Sequence, residues 1–174
     1  MSLVFLIGMP GVGKTFWGRI WAAASDYDFV DLDEDIETQA GVSIADIFCD
    51  VGEDGFRALE TTVLRDTIAA ARGRNTIIAT GGGTPVFSNN MDAMLESGFV
   101  VYLKADIETL LKQIAGSEVL RPLLQHSDPD AAVLEGLLKR RAPFYERAHL
   151  SVAVENLRTD TFAQILKECT SRQS

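Results

Sequence analysis

A glycine-rich segment near the start of the chain ends in a lysine and a threonine, GMPGVGKT at residues 8–15. It matches the pattern G-x-x-x-x-G-K-[ST], in which glycines let backbone N–H groups approach phosphate oxygens without a Cβ in the way. The lysine can reach the outer phosphates, the hydroxyl can ligate Mg²⁺, and the helix that follows adds free N–H groups. We predict a nucleotide phosphate site. Its expected contacts are Gly11, Val12, Gly13, Lys14, Thr15 and Phe16.

The same loop occurs in small-molecule kinases, in GTPase switches and in ATP-driven motors. A guanine-reading N/T-K-x-D sequence is absent, and 174 residues are few for a motor domain. A glycine turn that binds nothing is the plain alternative, but the loop follows an apolar strand-like run and opens a helix-like one. A small-molecule kinase is therefore the leading interpretation.

Two carboxylates, Asp31 and Asp33, are predicted at the carboxyl end of the second strand-like segment, in FVDLDEDIE at residues 29–37. Residues i and i+2 on a strand share one face, so both side chains can point into one cleft. They would then lie at the carboxyl end of the sheet, where open α/β folds bind ligands. Asp31 could hold Mg²⁺ through water, and Asp33 could orient or deprotonate an alcohol. A solvated acidic turn at a helix start is the alternative.

An arginine and two phenylalanines come together in IFCDVGEDGFRALE. Arg57 could bind a carboxylate or a phosphate through two parallel hydrogen bonds. Phe48 and Phe56 could enclose an apolar ring. Alternatively, Arg57 pairs with Glu53 or Glu60 on a helix surface, and the phenylalanines belong to the core.

Glycines and further arginines follow later in the chain. TGGG at residues 80–83 ends the third strand-like run and would expose backbone amides to a ligand, unless it is only a tight turn. Arg121 lies in the irregular segment VLRPLL and could close over a phosphate during transfer. Arg141 stands before an Ala-Pro pair, in a basic run that composition alone would assign to solvent.

Elements that could position these residues alternate along the chain as strands and helices. We predict strands at 3–8, 29–33, 76–83, 99–105 and 150–155. We predict helices at 34–41, 54–72, 88–97, 106–115, 129–147 and 160–171. This alternation favours a three-layer α/β fold with about five parallel strands. We expect one domain over residues 1–174, with an acceptor-binding part at about 32–60 and a lid at about 112–126.

Composition limits the partners. The net charge of −9 disfavours nucleic acid, whose backbone needs a basic face, and requires a local cationic cluster for any anionic substrate. No apolar run approaches the ~20 residues of a membrane helix. The amino terminus lacks the basic region of a signal peptide, and the two cysteines suggest neither a metal site nor a disulfide. We expect a cytoplasmic protein, and a monomer.

Six segments in this order together resemble shikimate kinase, over essentially the whole chain. They are GMPGVGKT, the D-x-D of FVDLDEDIE, the G-E-x-x-F-R of GEDGFRALE, TGGG, RPLL and RAPFYERA. The resemblance implies a P-loop NTPase fold of the nucleoside-monophosphate-kinase type with a mobile lid. It also implies transfer of the γ-phosphate of MgATP to the 3-hydroxyl of shikimate, in the route to chorismate and the aromatic amino acids.

Roles for individual residues are implied by the same motifs. The catalytic residues would be Lys14, Asp33 and Arg121, with Lys14 and Arg121 also contacting ATP. Thr15, together with Asp31 through water, would hold Mg²⁺. The shikimate contacts would be Asp33, Phe48, Phe56, Arg57, Gly81, Gly82, Gly83 and Arg141.

Two positions depart from the family pattern. Phe16 replaces a second hydroxyl that often helps to hold the α-phosphate, and Ile114, beside Gln113, replaces an arginine that often packs on adenine. Two other functions remain open. One is a kinase of the same build for gluconate or a nucleoside monophosphate, and the other is a nucleotide-binding regulatory module without catalysis.

Overall fold

A computed structural model describes residues 2–115 and 131–171. Within those ranges five strands form one sheet in the order β2-β3-β1-β4-β5, and every neighbouring pair is parallel. The strands are β1 (Leu3–Ile7), β2 (Asp28–Asp31), β3 (Thr76–Ala79), β4 (Phe99–Lys104) and β5 (Leu150–Ala153). The prediction of a five-stranded parallel α/β fold is confirmed.

Helices connect these strands. They are α1 (Lys14–Ala23), α2 (Leu32–Ala40), α3 (Ile44–Ala70), α4 (Asn90–Ser97), α5 (Ile107–Ala115), α6 (Ala131–Tyr145) and α7 (Thr161–Ser171). Single 3₁₀ turns cover Thr84–Val86 and Val154–Asn156. None of the helices described is long and apolar enough to cross a membrane.

The central strands are mostly apolar because helices cover both faces of the sheet. In β1, Val4, Phe5, Leu6 and Ile7 are all fully buried. Strand β2 lies at the edge and is only partly buried. Parallel strands end at the same edge of a sheet. The segments that follow β1, β2 and β3 therefore meet there. They carry the predicted phosphate loop (residues 8–15), the acidic residues Asp31 and Asp33, and the glycine run (residues 81–83).

Helix α3 differs from the prediction. Its helical residues begin at Ile44, ten positions before the predicted start at 54, because the Ser43 hydroxyl caps the helix by accepting the N–H of Asp46. The helix is kinked at Gly52, whose φ of 69° and ψ of −175° are available to glycine almost alone.

The tight packing of α1 on the edge strand provides a test of the fold. A Cβ at Gly18 would lie 2.4 Å from the ring of Phe29, so Gly18→Ala must displace that ring. Overpacking costs about 1–3 kcal/mol, and the better helix propensity of alanine returns up to about 1 kcal/mol. We expect the free energy of unfolding, measured by urea denaturation, to fall by about 1–2 kcal/mol.

The matched control is Gly136→Ala, also in a helix interior. Its Cβ would meet only the Arg140 guanidinium, at 3.7 Å, so this variant should gain about 0.5–1 kcal/mol. Equal effects of the two substitutions would show that the contact between α1 and β2 is not close-packed.

Candidate active site

The loop at residues 8–15 has the backbone of a phosphate cradle. Gly8, Gly11 and Gly13 have φ values of 145°, 79° and 92°, which disfavour any residue with a Cβ. A Cβ at Gly8 would also lie 2.5 Å from the carbonyl oxygen of Leu103. Helix α1 begins directly after Gly13, so the free N–H groups of its first turn lie at the loop.

Lys14 is buried beneath this loop. Its ammonium donates hydrogen bonds to the carbonyl oxygens of Gly8 and Met9, both at 3.0 Å. Burial lowers the pKa of Lys14 to about 8, while Asp33 and Asp31 act in the opposite direction. The ammonium form therefore predominates at neutral pH, and the charge lies at the base of the predicted phosphate site.

The placement of Asp33 on a strand was wrong. Strand β2 ends at Asp31, and α2 begins at Leu32, because one carboxylate oxygen of Asp31 accepts the N–H groups of Asp33 at 3.0 Å and Glu34 at 3.4 Å. This is a helix N-cap. The other Asp31 oxygen accepts the Thr15 hydroxyl at 2.5 Å. The hydrogen bond between Thr15 and Asp31 thus joins the two predicted metal-binding residues. As the N-cap, Asp31 also fixes the first turn of α2, on which Asp33 lies.

Asp33 faces a crowded acidic environment. The pKa of Asp33 is raised to about 6, chiefly by burial and also by Asp31 and Glu60, while Lys14 opposes the shift. A Cβ at Gly81 would lie 2.9 Å from an Asp33 carboxylate oxygen, so the carboxylate packs directly on that glycine. At neutral pH Asp33 is mainly ionised, with a pKa close enough to 7 for proton transfer.

The other two glycines of the run admit the arginines. A Cβ at Gly83 would lie 2.7 Å from the Arg57 guanidinium, and a Cβ at Gly82 would lie 2.7 Å from the Pro10 ring and 3.0 Å from Arg141 Nη1. TGGG is therefore more than a turn. Each of its glycines is needed because a functional side chain or the phosphate loop occupies the space of a Cβ.

Arg57 is fixed by a carboxylate that sequence reasoning did not assign to the site. Glu60, only 1% exposed, accepts Arg57 Nη1 at 2.8 Å and the Thr84 hydroxyl at 2.6 Å. Arg57 also lies over the rings of Phe56 and Phe87, at 5.0 and 4.4 Å from their centroids. Both predicted helix partners are correct, since Glu53 also accepts Arg57 Nη2 at 3.4 Å, but the pair with Glu60 is inside the molecule. The three-residue spacing was the available signal.

Two buried arginine nitrogens lack a hydrogen-bond partner. Within residues 2–115 and 131–171, neither Arg57 Nε nor Arg141 Nη1 has an acceptor. An unpaired buried donor costs about 1–3 kcal/mol, more when it is charged. Two such donors beside the same glycine run indicate a site for an acidic ligand.

These groups converge on a cleft of about 250 Å³. It is lined by Pro10, Asp33, Ile44, Phe48, Glu53, Phe56, Arg57, Glu60, Gly81, Gly82, Gly83, Ile114, Leu137 and Arg141. Phe48 and Phe56 stack with their ring centroids 4.5 Å apart and form part of an apolar wall. The cleft thus offers guanidinium groups, a carboxylate and an apolar wall to one small ligand.

The structure places the remaining predicted residues as follows. Phe16 is 61% exposed in the first turn of α1, next to Thr15. Ile114 is buried and faces the cleft, so its side chain does not lie on the surface. Arg121 and residues 116–126 of the predicted lid lie outside the described residues. A larger hollow of about 470 Å³ beside β2 contains none of the predicted site residues.

Comparisons with known proteins agree with this geometry. The sequence model of the family described as shikimate kinase matches residues 10–171. A shikimate kinase of Parasynechococcus marenigrum is 44% identical over 87% of this chain and 76% of its own length. One from Symbiobacterium thermophilum is 38% identical over 97% of both chains.

Solved structures extend the likeness to three dimensions. A shikimate kinase from Bacteroides thetaiotaomicron has a TM-score of 0.87 at 31% identity, covering 98% of each chain. The Acinetobacter baumannii shikimate kinase in complex with shikimate has a TM-score of 0.85 at 32% identity, covering all of this chain and 95% of that one. A gluconokinase from Sinorhizobium meliloti, at 0.57 and 16% identity, shares the fold alone. The chain belongs to the shikimate kinase family.

Proposed function

We propose that this protein transfers the γ-phosphate of MgATP to the 3-hydroxyl of shikimate, giving shikimate 3-phosphate and ADP. The observation that carries this proposal concerns two guanidinium nitrogens, on Arg57 and Arg141, that lack a partner among the described residues. They lie in the cleft that also contains Asp33. Shikimate combines one carboxylate with several hydroxyls on a small ring, and the cleft offers complementary groups. Family membership supports the same acceptor.

The carboxylate end of the acceptor is assigned to Arg57, Arg141 and the backbone of Gly82 and Gly83. A guanidinium can bind a carboxylate through two parallel hydrogen bonds, which a point charge cannot reproduce. Glu60 keeps Arg57 oriented while leaving its Nε free of partners among the described residues. Phe48 and Phe56 would pack against the ring.

The hydroxyl end is assigned to Asp33. Its carboxylate lies near both Lys14 and the glycine run, as its electrostatic coupling to Lys14 and its packing on Gly81 indicate. Asp33 can accept a hydrogen bond from the attacking hydroxyl, orient it, and take its proton as the bond to phosphorus forms. With a pKa of about 6, the carboxylate is available for this at neutral pH.

The phosphate end is assigned to the loop. The N–H groups of residues 11–16 would bind ATP, and the Lys14 ammonium would turn from the carbonyls of Gly8 and Met9 to the phosphate oxygens. Thr15 and Asp31 supply the oxygen ligands that Mg²⁺ prefers, and Mg²⁺ when bound would neutralise phosphate charge. Phe16 brings no side-chain hydroxyl to the α-phosphate.

We extend the proposal to the rest of the chain from the family resemblance. A lid at about 112–126 would exclude water, and its Arg121 would stabilise the charge on the transferring group. The chain would act as one domain and a monomer, in the cytoplasm, on the route to chorismate. The net charge of −9 disfavours nucleic acid as a partner.

The direct test is a coupled ADP-release assay with MgATP and a set of acceptors. We expect shikimate to support turnover, and gluconate and nucleoside monophosphates to support little, because only a carboxylate beside ring hydroxyls matches both ends of the cleft. The Lys14→Ala variant controls for contaminating kinases. Turnover with another acceptor would favour a sister kinase, and nucleotide binding without shikimate binding would favour an inactive regulatory module.

The role of Arg141 can be tested by Arg141→Lys. An ammonium keeps the charge but loses the two-point contact, and a hydrogen bond between charged groups contributes about 1.5–3 kcal/mol. We expect the KM for shikimate to rise about tenfold or more while the Kd of ADP stays unchanged. Arg140→Lys, one exposed position away on α6, is the matched control and should behave as wild type. An unchanged shikimate KM would remove Arg141 from the acceptor site.

The two perturbed pKa values predict a bell-shaped pH profile. Asp33 must be ionised to accept a proton, so activity rises as pH increases through about 6. Lys14 must be protonated to bind phosphate, so activity falls as pH increases through about 8. The quantity to measure is kcat/KM with both substrates below saturation, since it reports the free enzyme.

Asp33→Asn identifies the acidic limb of that profile. This variant should fold, turn over about 10²–10⁴-fold more slowly, and lose the acidic limb. Glu34→Gln, at the exposed neighbouring carboxylate, is the control and should keep it. A flat wild-type profile would contradict the assigned roles.

A further inference from the structure

Tyr145 is a buried phenol whose hydroxyl lies beside the catalytic loops. It is the last residue of α6 and is fully buried. Its hydroxyl donates to the carbonyl oxygen of Gly82 at 2.5 Å and lies 4.0 Å from the sulfur of Met9. Its ring packs on Tyr102 of β4, with centroids 5.0 Å apart. One side chain therefore links α6, the glycine run and the phosphate loop.

The hydrogen bond from Tyr145 to the Gly82 carbonyl also fixes the orientation of the whole Gly82–Gly83 peptide. The peptide between Gly82 and Gly83 is planar and trans, so its C=O and N–H point in opposite directions. With the Gly82 oxygen held by Tyr145, the Gly83 N–H must point away from Tyr145. That N–H makes no backbone hydrogen bond within the described part of the chain, and Gly82 and Gly83 both line the cleft.

Tyr145 and Arg141 act on the same peptide from the same helix. Their four-residue spacing places them on one face of α6. Arg141 Nη1 would lie 3.0 Å from a Cβ at Gly82, and the Tyr145 hydroxyl bonds the Gly82 oxygen. Helix α6 thus presents a charged donor to the cleft and a neutral donor to the glycine run behind it.

We propose that Tyr145 is a positioning residue for the acceptor carboxylate. By holding the Gly82 carbonyl, Tyr145 directs the Gly83 N–H toward the position where Arg57 and Arg141 would bind the carboxylate. This inference rests on the proposed function, since it specifies how that acceptor is gripped. A buried phenol needs an acceptor whatever its role, so what points to positioning is the identity of that acceptor, the carbonyl of Gly82 in the segment that lines the cleft.

The test is Tyr145→Phe, which keeps the ring and removes only the hydroxyl. We expect the Kd and KM for shikimate to rise about three- to tenfold, while the Kd of ADP stays within about twofold of wild type. The matched control is Tyr102→Phe, in the adjacent ring, whose hydroxyl makes no hydrogen bond to Gly82. This control should leave both affinities unchanged.

Each other result overturns the inference. Unchanged shikimate affinity in Tyr145→Phe would show that the bond is dispensable, and parallel losses for shikimate and ADP would show a general loosening of the core. If the wild type itself fails to bind shikimate by calorimetry, the proposed function fails first. If the wild type binds shikimate and the variant binds it equally well, only the role of Tyr145 fails.

A measurement on the intact protein covers the case in which Tyr145→Phe does not fold. The chain has three tyrosines, so ¹³Cζ-tyrosine labelling gives three signals. Tyr27→Phe and Tyr102→Phe assign two of them, which leaves Tyr145 by elimination. Shikimate should shift the Tyr145 signal and leave that of Tyr27 in place. A Tyr145 signal that does not respond to saturating shikimate would reject the inference.

Discussion

The site depends on the absence of side chains at residues 81–83. At each glycine the volume of a Cβ is already taken by Asp33, by Pro10 and Arg141, or by the Arg57 guanidinium. Because glycine has no Cβ, the carboxylate, the phosphate loop and the arginines can approach one another within a cleft of about 250 Å³. A side chain there would separate the groups proposed to bind the acceptor from those proposed to bind the nucleotide.

The charges inside the cleft differ from the overall charge of the chain. The chain carries a net charge of −9, yet two guanidinium nitrogens are buried unpaired in the cleft among the residues described. Carboxylates hold the cations in place without neutralising every donor, as Glu60 does for Arg57. Burial and neighbouring acids raise the pKa of Asp33 to about 6, whereas burial lowers that of Lys14 to about 8 against the opposing effect of Asp33 and Asp31. Both values suit the roles proposed for these residues near neutral pH.

Much of this could be predicted from the sequence. Apolar runs identified the three central strands because a doubly covered parallel sheet has no polar face there, and GMPGVGKT identified the phosphate loop. The position of Asp33 was missed because capping by Asp31 ends the strand two residues early. The full extent of α3 was missed because its first helical segment precedes Gly52, and the depth of Glu60 depends on contacts distant in sequence.

The kink at Gly52 has a consequence for how acceptor preference can change. Phe48 lies before it and Phe56 and Arg57 after it, so one short stretch of α3 supplies both the apolar wall of the cleft and the guanidinium proposed to bind a carboxylate. The loop that binds phosphate lies in a different stretch. Substitutions around the kink could therefore retune which alcohol is chosen without disturbing the energy donor.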